Sequence, residues 1–572
     1  MQYFSRAAKS LVLREGPPTY AETASLVPET DSARVALYSF DGSVFAYSDS
    51  EVTRILNAET REAVRELPIS AADMYFSPKG SYLVTWNRSK LDREKNEWTP
   101  NLKVWNTQTG DLEAAFVQKN QGSFRGGWDV QFTSDEQFCV QKTGPRTLVV
   151  TDAKINSATK KVRIGSLSVP GPIEDFVVSP GMNPSVSVFV GPQNGKPAFV
   201  RVYKLPSLSH PVAQRTLFRA ESVRMLWNSL GTALAVVAQS DVDASNKSYY
   251  GETSLHLLNV NSGSDQRIML DREGPVYDVD WSPDGNEFAA VYGLMPSKTS
   301  FFDVRGNEIC SMPLSPRNHL KYSPQGNFIV VAGFGNLQGN MDVYDRTRAD
   351  LVKVGEILAT NSSFYDWSPC GRFLLTATTS PRLRVDNGVK IWDYRGRLMY
   401  QHDDVELFAV GFRPQRVAQP NLAEVFTPHE SAKNKPVAMP SSKPKGAYLP
   451  PHARKSGAQR NVRSLYDATQ PGAAAAPQAG SGSANANANT NTNNGARQGK
   501  KIVGTQSELI QDEQNQKMKQ IRSLVKKLRA IDELKNRDMA GEKLEVTQLK
   551  KIETEKDVRE KLHALGWTSD EE

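Results

Sequence analysis

The stretch Val279-Asp280-Trp281-Ser282-Pro283-Asp284-Gly285-Asn286-Glu287-Phe288 decides the reading of this 572-residue chain, because close copies of it recur along most of the sequence. The clearest copies are Tyr75-Phe76-Ser77-Pro78-Lys79-Gly80, Tyr322-Ser323-Pro324-Gln325-Gly326 and Trp367-Ser368-Pro369-Cys370-Gly371. In each, an alternating apolar run ends in a large aromatic, a Ser-Pro-x-Gly turn follows, and a second apolar run begins. Proline presets φ at the second turn position and glycine accepts a positive φ near the turn's end, so the spacing predicts a β-hairpin.

Looser copies align on Phe40, Phe132, Val178, Trp227 and Phe412, which gives nine anchors at 40, 76, 132, 178, 227, 281, 322, 367 and 412. Their spacing averages about 46 residues, and several short strands per unit of that length predict a β-propeller blade. Helical-hairpin repeats are the rival at this length. The units argue against them, being rich in Gly, Pro and β-branched residues and alternating instead of following a 3.6-residue period. Within a unit a later strand ends in an aromatic plus Asp or Asn, as in Val104-Trp105-Asn106, Val343-Tyr344-Asp345 and Ile391-Trp392-Asp393. These residues resemble WD40 repeats, but the Gly-His dipeptide that opens such repeats occurs nowhere here, which leaves the usual His-centred network without its residues.

The fold expected is therefore all-β: a nine-bladed WD40-like propeller over residues 1–428, with eight blades as the alternative. The N-terminus offers one strand, Ser10 to Arg14, before Pro17-Pro18, and the last anchor at Phe412 is followed only by a weak apolar stretch at Leu422 to Phe426. Neither end can build a blade alone. A ring must join its ends to bury their faces, so the N-terminal strand is expected to complete the blade begun at Val405 to Phe412. Two insertions, Arg88 to Asn101 with Lys90, Arg93, Lys95 and Trp98, and Ser240 to Glu252 with Tyr249 and Tyr250, read first as solvated loops and second as binding loops.

The three cysteines, Cys139, Cys310 and Cys370, fall in three repeats without metal or disulfide spacing, which suits a reducing compartment. No apolar run approaches the length of a membrane span, and the first 16 residues lack an apolar signal core. The net charge of +7 is unevenly placed. Residues 413–505 hold 13 Lys/Arg against 3 Asp/Glu, residues 506–572 hold 14 against 15, and residues 1–412 are left near −2. A nearly neutral propeller carrying a cationic segment points to an anionic partner.

Residues 429–505 are rich in Pro, Ala, Asn, Gly, Ser and Lys, and the Ala-Asn run from Gly472 to Asn494 cannot bury enough apolar surface to offset ordering entropy. They are expected to form a disordered basic linker. One island in it, Lys443, Lys445, Tyr448, Pro450, Pro451 and Arg454, suits extended docking because polyproline geometry is already low in entropy, although ordinary linker is the blander reading. Residues 506–566 are expected to form an α-helical tail. Ile521, Leu524, Leu528, Ile531 and Leu534 fall on one stripe, and Gly541 breaks it. The same helix carries Lys517, Lys519, Arg522, Lys526, Lys527 and Arg529, with Lys519, Arg522, Lys526 and Arg529 pointing away from the stripe. Those six are the candidate RNA- or ribosome-binding residues. A face charged only for solubility, opposite a docking stripe, carries equal weight.

Chemistry is sparse. No histidine stands at ligand spacing from another His or Cys, and neither a phosphate-binding P-loop nor a nucleophile elbow occurs. Gly333-Phe334-Gly335-Asn336-Leu337-Gln338-Gly339 is one residue too long for a dinucleotide fingerprint and reads as a strand-loop. No catalytic residue, cofactor or metal ligand is expected.

Taken with Lys526-Lys527-Leu528-Arg529-Ala530-Ile531-Asp532-Glu533-Leu534-Lys535, Gly541-Glu542-Lys543-Leu544 and Gln548-Leu549-Lys550-Lys551-Ile552, the chain resembles the eukaryotic translation initiation factor 2A family. The resemblance implies a cytoplasmic, non-enzymatic factor that directs initiator methionyl-tRNA to the small ribosomal subunit without GTP on selected mRNAs. It also implies other initiation factors as candidate partners and no membrane. The residues alone support something narrower, a rigid disc tethered to a cationic arm. A protein-interaction scaffold with a coiled-coil docking tail fits that description as well.

Overall fold

In the computed structural model the chain divides into two compact units, Met1–Lys445 and Gly446–Glu572. The structure describes residues 1–433 except 27–32, 93–96, 119–126, 154–162, 194, 219, 241–251, 349 and 418–425, and beyond them only Ile531, Glu555 and Arg559.

Among the described residues the first unit contains nine four-stranded antiparallel sheets. Each begins with an inner strand that neighbours the inner strands of adjacent sheets, the arrangement of a propeller. The inner strands, Val35–Tyr38, Asp73–Phe76, Val130–Phe132, Ile173–Val178, Ser222–Trp227, Val276–Trp281, His319–Tyr322, Phe364–Trp367 and Leu407–Phe412, define blades 1 to 9. The decisive stretch behaves as its grammar requires. Trp281 pairs with Phe288, the Gly285 N–H donates to Ser282 O at 2.9 Å, and Gly285 takes a φ of 73° that a side chain would resist. Eight anchors end their inner strands.

Phe40 does not. The first inner strand ends at Tyr38, and Ser39 to Gly42 forms the turn, with Phe40 in the slot that proline fills elsewhere and 67% exposed. In blade 3 the glycine slot holds Glu136 at a φ of 54°. Its carboxylate accepts the Lys79 N–H from the neighbouring turn at 2.7 Å, a bond that offsets part of the left-handed strain.

The ring closes through its ends, as expected, but with a different strand. Gln2–Ala7 pairs antiparallel with Leu407–Phe412, with Tyr3 opposite Phe412, and the strand expected at Ser10 to Arg14 is Leu11–Glu15, one place further out. Glu22–Ser25 is the outer strand, so the N-terminus supplies three strands of blade 9. Gln2–Ala7 escapes a period-2 reading because both its faces are buried. Tyr3 packs with Ile391, Met399 and Val410 toward blade 8, while Phe4 packs with Tyr38 and Phe45 toward blade 1. Burying each such aromatic contributes about 2 kcal/mol.

A propeller leaves the inner edge of every sheet unpaired. Here side chains of neighbouring blades fill it. The Leu320 and Tyr322 N–H groups donate to Asp278 Oδ2 at 3.1 Å and Asp280 Oδ2 at 2.9 Å. Gln131 donates to Phe176 O at 2.7 Å and accepts the Val178 N–H at 3.0 Å. Trp281 Nε1 reaches Leu226 O, Trp367 Nε1 reaches Lys321 O, and the Tyr75 hydroxyl reaches Val130 O. Within blades 2 and 8, Trp105 and Trp392 donate to Thr85 and Thr376, each at 2.9 Å. The contacts to N–H and C=O groups satisfy backbone that burial would otherwise penalise, and the two Trp–Thr bonds satisfy buried indole N–H groups.

Candidate functional site

Antiparallel connectivity gives the ring two unlike ends. The Ser-Pro-x-Gly turns and the turns between third and outer strands emerge at one, the turn face. Loops between second and third strands, and from each outer strand to the next inner strand, emerge at the other, the loop face. The turn face is stitched shut by its own groups. Asn228 Nδ2 donates to Gly285 O at 3.0 Å, Gln325 Nε2 to Pro369 O at 2.7 Å, and Arg413 Nε to Gly42 O at 2.7 Å.

The loop face is different. Of eighteen exposed large apolar side chains among the described residues, ten lie there and three on the turn face. They include Trp98, Phe218, Met269, Leu294, Leu314 and Val405, the last 84% exposed. Apolar tips on the loops of a rigid scaffold make this face the candidate contact surface.

Local structure holds these tips in place. On blade 6 the Leu294 N–H donates to Glu273 O at 3.1 Å and the Ser315 N–H to Ser297 O at 3.1 Å, which ties three loops into one lip. Lys298 bridges Asp271 and Glu308 at 2.7 and 3.0 Å, and the Tyr292 hydroxyl also donates to Asp271 at 2.8 Å. Lys298 and Tyr292 together hold the Asp271 carboxyl below the ordinary range.

The strands flanking the first insertion open onto this face. That insertion carries a hairpin, Leu91–Asp92 with Glu97–Trp98, in which Leu91 and Trp98 form an exposed cross-strand pair. Of the second, residues 241–251, including Tyr249 and Tyr250, lie outside the described residues. Gly333 to Gly339 is the loop joining two strands of blade 7, followed by Asn340–Asp345 and not by a helix, as its reading as a strand-loop requires.

The channel side holds carboxylates whose surroundings disfavour charge. Burial pushes Asp129, Glu174 and Asp175 up, with Lys142 opposing, and pushes Asp280 up to about 6. Asp280 is already spent on the Tyr322 N–H. Among the described residues no group of three or more His, Cys, Asp or Glu could hold a metal ion, and no helix is long and apolar enough to cross a membrane.

The sequence-predicted site residues, Lys443, Lys445, Tyr448, Pro450, Pro451 and Arg454 of the linker and Lys517, Lys519, Arg522, Lys526, Lys527 and Arg529 of the tail, all lie outside the described residues. The second unit contributes three described positions. Ile531 is helical and buried, and Arg559 Nε donates to Glu555 Oε1 at 2.9 Å, one helical turn away. Apart from Trp98, the loop-face apolar set is not legible in the sequence, because exposure depends on which loops tertiary packing covers. Its only sequence signal was the apolar residue inside several turn-rich connections.

Comparison with known proteins decides the family. A family model described as eukaryotic translation initiation factor eIF2A matches residues 215–410, and one for the eukaryotic translation initiation factor 2A C-terminal domain matches residues 519–565. Eukaryotic translation initiation factor 2A of Schizosaccharomyces pombe is 40% identical, across 100% of this chain and 99% of that protein. The chain belongs to the eukaryotic translation initiation factor 2A family. The Saccharomyces cerevisiae initiation factor 2A is 33% identical over 99% of both chains. A solved eukaryotic initiation factor, 38% identical, superposes with a TM-score of 0.65 over 72% of this chain and 98% of its own. Initiation factor 2A relatives thus match this chain along its full length, so it is a translation initiation factor built on a nine-bladed ring.

Proposed function

We propose that this chain binds the small ribosomal subunit and directs initiator methionyl-tRNA to it without GTP on selected mRNAs, as a non-enzymatic cytoplasmic factor. The propeller docks through its loop face, and the basic linker and helical tail contact RNA. Other initiation factors are further partners. The observation that carries this reading is the full-length relationship to initiation factor 2A proteins, joined to a charge distribution that leaves the ring near neutral and places +10 on residues 413–505.

Each Lys or Arg that neutralises a phosphate releases counterions, so the arm adds affinity with little base preference and a steep salt dependence. The test is filter binding of initiator tRNA and of small subunits to the full chain and to a chain ending at residue 433. The reading expects the shorter chain to lose affinity and salt slope for both. Equal affinity and slope would remove linker and tail from the mechanism.

A second reading, a protein scaffold with a docking tail, is favoured by the burial of Ile531, a member of the apolar stripe. Replacing Lys517, Lys519, Arg522, Lys526, Lys527 and Arg529 by Gln while keeping that stripe separates the two. Loss of ribosome binding supports RNA contact, and retention supports docking.

A further inference from the structure

After the last inner strand the chain does not simply leave the ring. Residues 426–433 return across blade 8. The His429 N–H donates to Met399 O at 2.8 Å, and the Gln401 N–H donates to Ser431 Oγ at 3.3 Å, both on the outer strand Leu398–Asp403. That strand is an edge, and these two bonds occupy backbone groups it would otherwise present to other chains. Below them, Phe426 meets Phe373 edge-on at 5.3 Å, and the Arg372 guanidinium lies 4.5 Å from the Phe426 ring centre.

The same segment touches the N-terminus. Tyr20, in the turn between the third and outer strands of blade 9, stacks on Tyr400 at 5.1 Å and 8°, and the His429 ring closes on both, at 5.5 and 5.3 Å. Tyr20 sits at a φ of 55°, a left-handed conformation costly for an aromatic residue and kept only where packing imposes it. Three regions distant in sequence, residue 20, residues 372–401 and residues 426–431, therefore meet where the N-terminal strands of blade 9 pack on blade 8.

We infer that residues 426–433 are a strap that locks the N-terminal strands of blade 9 against blade 8 and caps the outer edge of blade 8, so that strap release loosens the N-terminal strands. Locking follows from geometry. The N-terminal strands meet blade 8 through side chains alone, with Arg14 bonded to His402 at 3.0 Å and Tyr20 stacked on Tyr400, and the strap, itself hydrogen-bonded to blade 8, adds the His429 ring as a third aromatic across that junction. Release frees two edge backbone groups and uncovers the Tyr20–Tyr400 pair, a surface suited to an extended peptide that adds to the edge strand.

Hydrogen exchange on the full chain tests this. The variants are Phe426→Ala, and His429→Pro, which deletes both the N–H donor and the ring. Exchange at Gln401 and across Glu22–Ser25 is expected to accelerate about tenfold or more in both variants, while blade 3 amides at Phe138–Val140 keep their wild-type rates and report an intact ring. Unchanged exchange at Gln401 and Glu22–Ser25 in both variants would overturn the inference, as would a wild-type Gln401 amide exchanging at the free-chain rate. If blade 3 also accelerates in His429→Pro, the milder Phe426→Ala decides between the same two outcomes.

Discussion

Replacing Asp280 by Asn should make the ring more stable at neutral pH and less stable in acid, because this carboxylate is held where its charge is poorly solvated. Burial is the largest influence on it, the Tyr322 and Trp281 N–H groups and Lys321 oppose it, and Asp278 adds repulsion; the net result is a group pushed up to about 6. A carboxyl raised in the folded state binds a proton more readily there than in the unfolded chain. Stability is therefore fully retained below about 3.8 and falls as pH rises through about 6. Two pH units correspond to about 3 kcal/mol of penalty at pH 7.5. Asn removes that penalty and keeps one oxygen for the Tyr322 N–H, but loses the second acceptor, at a cost of about 1 kcal/mol. The variant should gain about 2 kcal/mol at pH 7.5 and lose about 1 kcal/mol at pH 4. Urea midpoints of wild type and variant, measured across pH 4 to 8, give the difference directly. A difference that does not change with pH would refute the burial argument, whatever its size.

His256 gives the opposite sign. Burial, then Arg215 and Arg267, push it down to about 4, so its contribution is intact above about 6.5 and is lost as pH falls toward 4. His256→Gln should flatten that acid limb by about 3 kcal/mol, read from the same urea series. Arg317 and Asp342 form a buried pair at 3.0 and 2.5 Å, so Arg317→Ala should lower stability by about 3 kcal/mol, whereas Lys353→Ala, which removes the half-exposed second partner of Asp342, should cost under about 1 kcal/mol. Thermal or urea unfolding ranks the two, and equal losses would show that burial does not govern this site. Neutralising the six basic tail residues to Gln should reduce the salt slope for RNA binding by up to about 4, at roughly 0.7 per phosphate contact, as measured by filter binding between 50 and 200 mM salt.

The repeat was legible because turn chemistry is local. Ser282-Pro283-Asp284-Gly285 folds back through its own dihedral preferences, and the same four-residue logic recurs wherever the anchors place it. It failed at Phe40 for a local reason too: an aromatic in the proline slot looks like a strand end. The strand Gln2–Ala7 was illegible for a different reason. Periodicity reports a strand with one dry face, and this one is dry on both. The candidate site was harder still. Neither the crowding of apolar tips on the loop face nor the use of Asp278, Asp280 and Gln131 to cap inner edges is coded by spacing. Both depend on which blade stands next to which.

Those capped edges bear on where function resides. A ligand threading the channel of blades 6 to 8 would compete with Asp278 and Asp280 for the Leu320 and Tyr322 N–H groups, and with Lys321 for Asp366 at 2.7 Å. Freeing either N–H leaves a buried donor without its partner, at about 1 to 3 kcal/mol each, whereas the partly exposed Lys321–Asp366 pair costs less to break. The turn face is similarly occupied, with its turns bonded to one another around much of the ring. The loop face has bonds of its own, such as Ser380 N–H to Leu407 O at 2.7 Å, but at Met269, Phe218 and Val405 large apolar side chains stand in solvent. Among the described residues, covering the loop-face apolar side chains costs a large partner the fewest internal bonds. This is why docking is assigned to the loop face and long-range attraction to the cationic segment: apolar contact is short-ranged, and a nearly neutral disc cannot steer itself toward an anionic particle.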